Sequence, residues 1–321
     1  MATDYQGMRP STGARSAEAD GGSVRPATES DLDPQQRVQL RRKERAENFP
    51  VALRVLPARY RGHLRNLYDV ARVIDDLGDT GAREQRTAAL LAFREDLSTI
   101  WRGGTPQHPV LRTLVDTVRA CELPEQPFLD LVEANLRDQT VTVYETYEEL
   151  LGYCALSANP VGRLVLQVFQ VSTPARIELS DRVCSALQII EHCQDVAEDH
   201  RAGRLYLPLA DLHRFGVRRE DLDAPVATPA LRRLVRFEAE RAEGLLTEGA
   251  ALLSELRGWA RVAIAGYIAG GQAAVAALRR ADWNVLPTHP RRRRRDVLVA
   301  LAGLLARGVG TTDRTVEGSR E

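Results

Sequence analysis

Apolar residues recur at spacings of three and four along most of the chain from residue 34 onward, which is the period of an amphipathic helix. Neither the strict alternation of strands nor the Asn-Gly turns of hairpins accompanies this pattern. Glycine and proline separate the periodic segments, so we expect an all-α fold of antiparallel helices joined by short loops. The pattern predicts helices over 59–78, 84–101, 110–121, 127–139, 146–155, 160–171, 178–200, 228–255 and 257–280.

The two ends of the chain lack this periodicity. Residues 1–33 are rich in Gly, Ser, Thr, Ala, Pro and charge, which predicts a disordered N-terminal tail without the apolar core of a signal peptide. We expect one domain over residues 34–306 and a second disordered tail over 307–321. No stretch reaches the ~18 apolar residues that span a bilayer, so we expect a soluble or peripheral protein.

Composition narrows the class of protein. With 321 residues and 44% apolar residues, the chain can bury a sizeable core. Its formal net charge is zero, which argues against nucleic acid as a partner, although every cation except Lys43 and the histidines is an arginine. The four cysteines show no zinc-type spacing and are typical of a reducing, cytoplasmic environment.

A stripe of polar side chains is predicted on the helix within 184–208. Gln188, Glu191, Asp195 and Asp199 follow one another at i, i+3, i+7 and i+11, and therefore lie on one helix face. The opposite face is apolar, supplied by Leu187, Ile189, Ile190 and Val196. Crowded carboxylates repel one another unless a cation lies between them, and Mg²⁺ favours one or two carboxylates together with phosphate oxygens. A solvated acidic face is the alternative interpretation.

A second acidic stripe, in YDVARVIDDLGD, makes the metal interpretation stronger. Tyr68, Arg72, Asp75 or Asp76, and Asp79 share one face of the predicted helix over 59–78. If the two stripes face each other, Mg²⁺ ions between them can hold a diphosphate, with Arg72 as a bidentate phosphate donor. The predicted metal ligands are Asp75, Asp76, Asp79, Glu191, Asp195 and Asp199.

Three motifs in order identify a family resemblance: the leading segment ENFPVALRVLPARYRGHL (residues 47–64), YDVARVIDDLGD, and LQIIEHCQDVAEDHRAGRLYLP. Over about residues 36–283 the chain resembles the squalene and phytoene synthases, which join isoprenyl diphosphates head to head. The resemblance implies an all-α isoprenoid synthase bundle around a central cavity, with Asn48 and Tyr68 among the substrate contacts and Asp75, Asp79, Asp195 and Asp199 as catalytic residues.

The central segment RDQ, followed by YETYEELLGYCALSANPVG, extends the resemblance. It implies that Tyr153, which precedes Cys154, lines the cavity and takes part in catalysis, whereas a packed core tyrosine is the alternative. Arg204 and Tyr206 in GRLYLP are candidates for closing the diphosphate end, although Arg204 could simply cap a helix. Tyr267 is a candidate cavity-lining residue, in a helix whose glycines leave room for close packing or a long ligand.

Two departures from the family pattern fall in or beside the second stripe. Many members carry Asn where this chain has Glu191, and Arg where it has Gln194. Glutamate keeps an oxygen ligand and adds a charge, whereas Gln194 lacks a phosphate-binding cation. His192 lies off the stripe, and we interpret it as a packed histidine.

The resemblance is strongest to the hopanoid-pathway branch, because of Ser157 to Pro160 and Glu191 to Gln194. It implies Mg²⁺-dependent conversion of presqualene diphosphate to hydroxysqualene or squalene. The alternatives are condensation of two farnesyl or geranylgeranyl diphosphates, and a non-catalytic adaptor on the same fold. We expect no nicotinamide cofactor, since no Gly-rich strand-to-helix turn is visible and water quenches the cation in this branch.

The C-terminal segment predicts a peripheral membrane contact. Arg291 to Arg295 precede a ten-residue apolar run, and the segment Arg291 to Ala306 suits an anionic interface at the inner membrane face. An ordinary final helix with a solvated basic start is the alternative. Other enzymes of the pathway remain open as protein partners.

Overall fold

The computed structural model describes residues 56–306. Asn48, the two predicted tails at 1–33 and 307–321, and the predicted domain start at residue 34 lie outside the described residues. Thirteen α-helices and one short 3₁₀ helix occur in the described part. The helices are α1 Ala58–Asp79, α2 Arg83–Ser98, α3 Pro109–Cys121, α4 Gln126–Arg137, α5 Tyr147–Ser157, α6 Asn159–Val168, α7 Pro174–Gln194, α8 Val196–Arg201, α9 Leu209–Phe215, α10 Pro229–Gly249, α11 Leu252–Glu255, α12 Gly258–Arg280 and α13 Arg294–Ala306; the 3₁₀ helix is Arg219–Asp223.

The all-α prediction is confirmed. Between residues 56 and 306 the one β feature is an isolated bridge that pairs Val143 with Leu205. Nine of the helices correspond to the nine predicted segments, and their boundaries follow capping residues. Thr173 and Thr228, for example, each accept a hydrogen bond from a backbone N–H in the first turn of the helix that follows, and a proline stands next in the chain.

Two predicted helices are each divided in the structure. The segment 178–200 breaks at Asp195, whose φ of −99° and ψ of 9° separate α7 from α8. The backbone hydrogen bonds from Asp195 N to Glu191 O and from Asp199 N to Asp195 O carry the chain across this break. The acidic stripe therefore continues through a kink rather than along one straight helix. The segment 228–255 divides in the same way between α10 and the four-residue α11.

Helix α7 lies at the centre of the bundle, where it packs against α6, α10 and α12. The approach to α10 is close: a Cβ atom added at Gly249 would lie 2.9 Å from the Leu179 carbonyl oxygen. At Gly271 of α12 an added Cβ would lie 2.6 Å from Cδ2 of Leu187. Both glycines allow the helices to approach closely. For Gly271 this is one of the two uses predicted for the glycines of α12, the other being room for a long ligand.

Helix α12 is the most apolar long helix of the described chain. By length and composition it could cross a membrane, with a mean hydropathy of 1.3 in its most apolar window. That window is 72% buried inside the protein, between α7 on one side and α13 on the other. Burial of this extent is typical of the central helix of a globular core.

A cavity of about 210 Å³ lies between α6, α7 and α12. Its walls are largely apolar, and Gln188, Glu191 and Tyr267 add polar groups to its lining. Its apolar lining residues include Val161, Val165, Val183, Leu187, Leu252 and Ile264. Such a lining suits an apolar chain that carries a polar group.

Candidate active site

The first acidic stripe lies on α1, and each of its carboxylates has a hydrogen-bond donor nearby. Arg72 Nη2 donates to Asp76 Oδ1 over 2.9 Å, one turn further along the helix. Asn135 Nδ2, from α4, donates to Asp75 Oδ1 over 3.2 Å. Arg204 Nη2, from the segment after α8, donates to Asp79 Oδ1 over 2.7 Å. The stripe therefore faces α4 and the end of the second stripe.

The second stripe spans the junction of α7 and α8, where Glu191 is exposed and Asp195 and Asp199 are half-buried. His289 Nδ1 lies 2.6 Å from Asp195 Oδ1, and this hydrogen bond raises the pKa of His289. His192 Nδ1 lies 3.8 Å from Asp199 Oδ2. Burial lowers the pKa of Arg292, and the charge of Glu191 nearby opposes that effect. Cationic or titratable side chains thus accompany all three carboxylates.

Arg204 links the two stripes. Its backbone N–H donates to the Asp199 carbonyl oxygen over 2.8 Å, while its side chain reaches Asp79 on α1. The parallel bridge between Val143 and Leu205 fixes the backbone beside it, with Leu205 N donating to Thr142 O over 2.8 Å. The structure therefore brings residues of both stripes to one end of the bundle, an arrangement that the spacing within each motif left open.

The same end of the bundle contains the polar end of the cavity. Gln188 and Glu191 line the cavity from α7, one turn before Asp195. Tyr267 lines it from α12, as predicted, at a position where burial raises the pKa of its phenol. An apolar chain in this cavity would place its polar head beside the second stripe.

Four aromatic rings form a buried cluster next to this polar end. The ring centroids of Tyr153 and Tyr144 are 5.3 Å apart, and those of Tyr153 and Tyr206 are 5.5 Å apart. His192 stacks on Tyr206 at 3.8 Å, and the two are 7% exposed each. Tyr68 is also buried, on α1. Tyr153 thus belongs to this cluster and is not among the residues that line the 210 Å³ cavity.

The cluster is joined to charged groups on two sides. The Tyr153 hydroxyl donates to Asp138 Oδ2 over 2.7 Å. Burial raises the pKa of Tyr206 to about 12, although the nearby Arg204 guanidinium acts in the opposite direction. Gln188 Nε2 lies 3.2 Å from His192 Nε2 and so connects the cluster to the cavity.

Sequence reasoning missed three residues that the fold brings to this end: Asn135, Asp138 and His289. Asp138 stands within the quoted RDQ segment, but nothing in the local spacing places it against Tyr153. His289 directly precedes Pro290, whose carbonyl oxygen accepts a 2.6 Å hydrogen bond from Gln194 Nε2. Gln194 stands where the family pattern has an arginine. Its hydrogen bond therefore holds the segment between α12 and α13 against the end of α7.

The donor set is compatible with a hard divalent cation. In the part of the chain from 56 to 306, no three His, Cys, Asp or Glu side chains already form a compact metal cluster. Mg²⁺ does not require such a cluster, since it usually keeps several waters and takes one or two carboxylates plus substrate phosphates. The carboxylates of Asp76 and Asp79 are 46% and 54% exposed, which leaves them accessible from solvent.

Comparisons with known proteins agree with the fold and the motifs. The profile of the squalene/phytoene synthase family matches residues 42–298. The hydroxysqualene synthase of Rhodopseudomonas palustris is 34% identical over 214 residues, which cover 66% of this chain and 72% of that protein. The presqualene diphosphate synthase of the same bacterium is 32% identical over 197 residues, covering 61% and 70%.

Solved structures show the same architecture. The squalene synthase HpnC from Alicyclobacillus acidocaldarius is 39% identical with a TM-score of 0.69, covering 79% of this chain and 98% of that one. A dehydrosqualene synthase solved with a ligand has a TM-score of 0.76 at 22% identity, over 85% of this chain and 96% of that one, and shares the fold. The chain belongs to the squalene/phytoene synthase family.

Proposed function

We propose that this protein converts presqualene diphosphate to hydroxysqualene by addition of water, with release of diphosphate and in the presence of Mg²⁺. One observation carries the proposal: Arg204 joins Asp79 of the first stripe to Asp199 of the second, beside the polar end of an apolar cavity. Its similarity to a hydroxysqualene synthase at 34% identity supports this branch of the family.

The residues that would hold the metal are Asp75, Asp76, Asp79, Glu191, Asp195 and Asp199. Mg²⁺ bound there would neutralise the charge of the diphosphate as it leaves. Arg72 and Arg204 orient the diphosphate oxygens, because each guanidinium presents a fixed pair of donors. Both arginines are partly buried, at 16% and 31% side-chain exposure, so their charges are less screened by solvent than those of surface arginines.

The cavity supplies the second part of the mechanism. Its apolar walls fold the isoprenoid chain and exclude water from the carbocation until the rearrangement that follows departure of diphosphate is complete. Tyr267 presents an aromatic ring inside the cavity, and such a ring can stabilise a cation over its face. Tyr153 and Tyr206 lie immediately behind the polar end and support it from the protein interior.

Condensation of two prenyl diphosphates is the second candidate. It uses the same carboxylates, and it is favoured by similarity to a presqualene diphosphate synthase and to the phytoene synthase of Mycobacterium tuberculosis, at 32% and 33% identity. Incubation with Mg²⁺ and either farnesyl diphosphate alone or presqualene diphosphate alone separates the two. Turnover of presqualene diphosphate supports the proposed reaction, whereas a condensed product from farnesyl diphosphate alone, without turnover of presqualene diphosphate, refutes it.

We also propose that α13 and the arginines before it contact an anionic bilayer. Arg291, Arg293, Arg294 and Arg295 are exposed, and Leu298 and Val299 follow with exposures of 61% and 74%. Asp296, the acidic residue of the first turn, pairs with Arg280 of α12 over 2.6 Å and with Arg295 over 3.5 Å, which leaves Arg291, Arg293 and Arg294 as the other exposed cations of this surface. Exposed cations next to exposed aliphatic side chains suit a surface of anionic lipid headgroups.

A further inference from the structure

Asp138 is a half-buried carboxylate with one buried oxygen, and the mechanism above gives it no role. It follows directly after the last residue of α4, and its side chain enters the aromatic cluster. Its Oδ2 atom accepts the 2.7 Å hydrogen bond from the Tyr153 hydroxyl. Its Oδ1 atom is buried and has no hydrogen-bond partner among residues 56–306. One oxygen is therefore committed to Tyr153, and the other has no donor within the described chain.

Such a group is unfavourable for stability. Burying a carboxylate oxygen without a donor removes its hydrogen bonds to water and provides no protein hydrogen bond in their place. Burial accordingly raises the pKa of Asp138 to about 6, although the Tyr153 hydrogen bond and the charges of Arg204 and His192 act in the opposite direction. Asp79 adds to the rise by like-charge repulsion. Costly buried carboxylates with raised proton affinity are typical of functional sites.

Asp138 and Tyr153 lie close to both parts of the site. Tyr153 is hydrogen-bonded to Asp138, and the centroid of its ring lies 6.3 Å from that of His192. His192 Nε2 in turn lies 3.2 Å from Nε2 of Gln188, which lines the cavity. On the other side, the charge of Arg204 acts to lower the pKa of Asp138. Asp138 therefore lies at the interior end of a cluster whose outer end borders the cavity and the place where the diphosphate is expected.

The proposed reaction releases a proton at that outer end. When water adds to the carbocation, the oxygen that forms the new C–O bond must lose one proton. Cyclopropane formation from two prenyl diphosphates also releases one proton, so the need is the same for the second candidate reaction. An acceptor that is ionised near neutral pH and shielded from solvent meets this need better than an ordinary surface carboxylate.

We propose that Asp138 is a positioning residue that holds the Tyr153 hydroxyl and takes up, through Tyr153, the proton that the reaction releases. This inference rests on the proposed function. The released proton passes to the Tyr153 oxygen, and Tyr153 gives its own proton to Asp138 Oδ2. The phenol ends neutral, and the positive charge of the cation is cancelled by the negative charge of the carboxylate.

The test compares Asp138→Asn, Tyr153→Phe and the double variant with the wild type. Glu133→Gln, on the exposed face of α4, is the matched control. The substrate is whichever diphosphate the wild type turns over. We expect Asp138→Asn to lower kcat by about 100-fold with little change in KM, since general-base effects are of this size. Its melting temperature should equal or exceed that of the wild type, because the variant removes a buried charge and keeps an acceptor for Tyr153.

The pH profile distinguishes this role from a structural one. Wild-type kcat should fall as the pH drops through about 6, where Asp138 becomes protonated, and Asp138→Asn should lose this acid limb. The double variant should be no slower than the slower single variant, because the two residues act as one unit. Unchanged kcat and an unchanged acid limb in Asp138→Asn would overturn the proposal and leave the departing diphosphate as the acceptor.

Two further outcomes also decide against the proposal. Losses of kcat that multiply in the double variant, together with a lowered melting temperature, would show a packing role only. A wild type that turns over no isoprenyl diphosphate would refute the proposed function and this inference with it. Wild-type turnover with normal variants would refute only the role of Asp138.

Discussion

The Arg204 side chain donates a 2.7 Å hydrogen bond to Asp79, and the Arg204 backbone N–H donates to the carbonyl oxygen of Asp199. The two residues it joins belong to motifs separated by more than a hundred positions in the chain. The Arg204 side chain thus contacts the first stripe while its backbone is hydrogen-bonded to the second, which ties the two stripes together at this end of the bundle. The proposed mechanism requires both stripes.

Substitution of one carboxylate in either stripe should remove activity without unfolding the protein. We expect Asp75→Asn and Asp195→Asn each to lower turnover by more than about 100-fold, which exceeds the usual effect of changing an outer partner of a metal. Each variant relieves repulsion between neighbouring carboxylates, so the melting temperature should change little. Glu198→Gln, an exposed carboxylate beside the second stripe, is the matched control.

The measurement is turnover as a function of Mg²⁺ concentration, with the melting temperature recorded for each variant. Near-normal turnover by Asp195→Asn at limiting Mg²⁺ would show that Asp195 is not a ligand. The hydrogen bond between His289 and Asp195 is a possible source of lost stability, but pairs at this exposure contribute only about 0–1 kcal/mol.

The local part of this site could be predicted from the sequence. The order of Asp75, Asp79, Asp195 and Asp199 within helical periods fixes which side chains share a face, because helix geometry is local. The positions of α7 and α12 followed from the same periodicity. Helix α9, with seven residues, was too short to give a periodic signal. The kink at Asp195 could not be seen either, because backbone hydrogen bonds continue across it and the helical spacing of the side chains is kept.

The long-range part could not be predicted. His289 and Asp195 are 94 positions apart in the chain, and Asn135 and Asp75 are 60 apart, so only the packing of the bundle brings each pair together. Asp138 and Tyr153 are 15 positions apart and lie on either side of a loop. No periodicity relates residues across a loop, and a carboxylate buried against a tyrosine has no distinctive sequence pattern.

A fully buried carboxylate on α10 predicts how the stability of the fold depends on pH. Glu238 of α10 is fully buried, and burial together with a hydrogen bond to Asp211 raises its pKa from 4.5 to about 8. The folded protein therefore holds this proton more tightly than the unfolded chain. Its contribution to stability is complete below pH 4.5 and is lost as the pH rises towards about 8.

Glu238→Gln should remove this dependence, since glutamine fills the same space and does not ionise. We expect the melting temperature of the wild type to fall between pH 5 and pH 8 relative to that of the variant, by an amount worth on the order of a few kcal/mol. Thermal unfolding of both proteins across this range is the measurement. Parallel curves would show that Glu238 is ionised throughout.

The proposed membrane surface predicts binding that depends on lipid charge. The wild type should sediment with anionic liposomes and much less with neutral ones, and salt should weaken the binding. Replacing Arg293, Arg294 and Arg295 together by Gln should reduce it, because each arginine near an anionic surface contributes about 1 kcal/mol. Arg218→Gln, an exposed arginine in the loop before the 3₁₀ helix, is the control.

Equal binding to neutral and anionic vesicles, or no binding to either, would rule out this interface. Replacement of Leu298 and Val299 by Ser tests the apolar contribution separately, and the two side chains are exposed enough that the fold should tolerate the change.

The product formed from presqualene diphosphate and Mg²⁺ in isotopically labelled water, with and without NADPH, decides whether water is the final nucleophile. We expect the same alcohol in both reactions, carrying oxygen from the solvent, because water reaches the cation at the polar end of the cavity. Formation of a product only with NADPH, as the hydrocarbon squalene, would refute the proposed reaction.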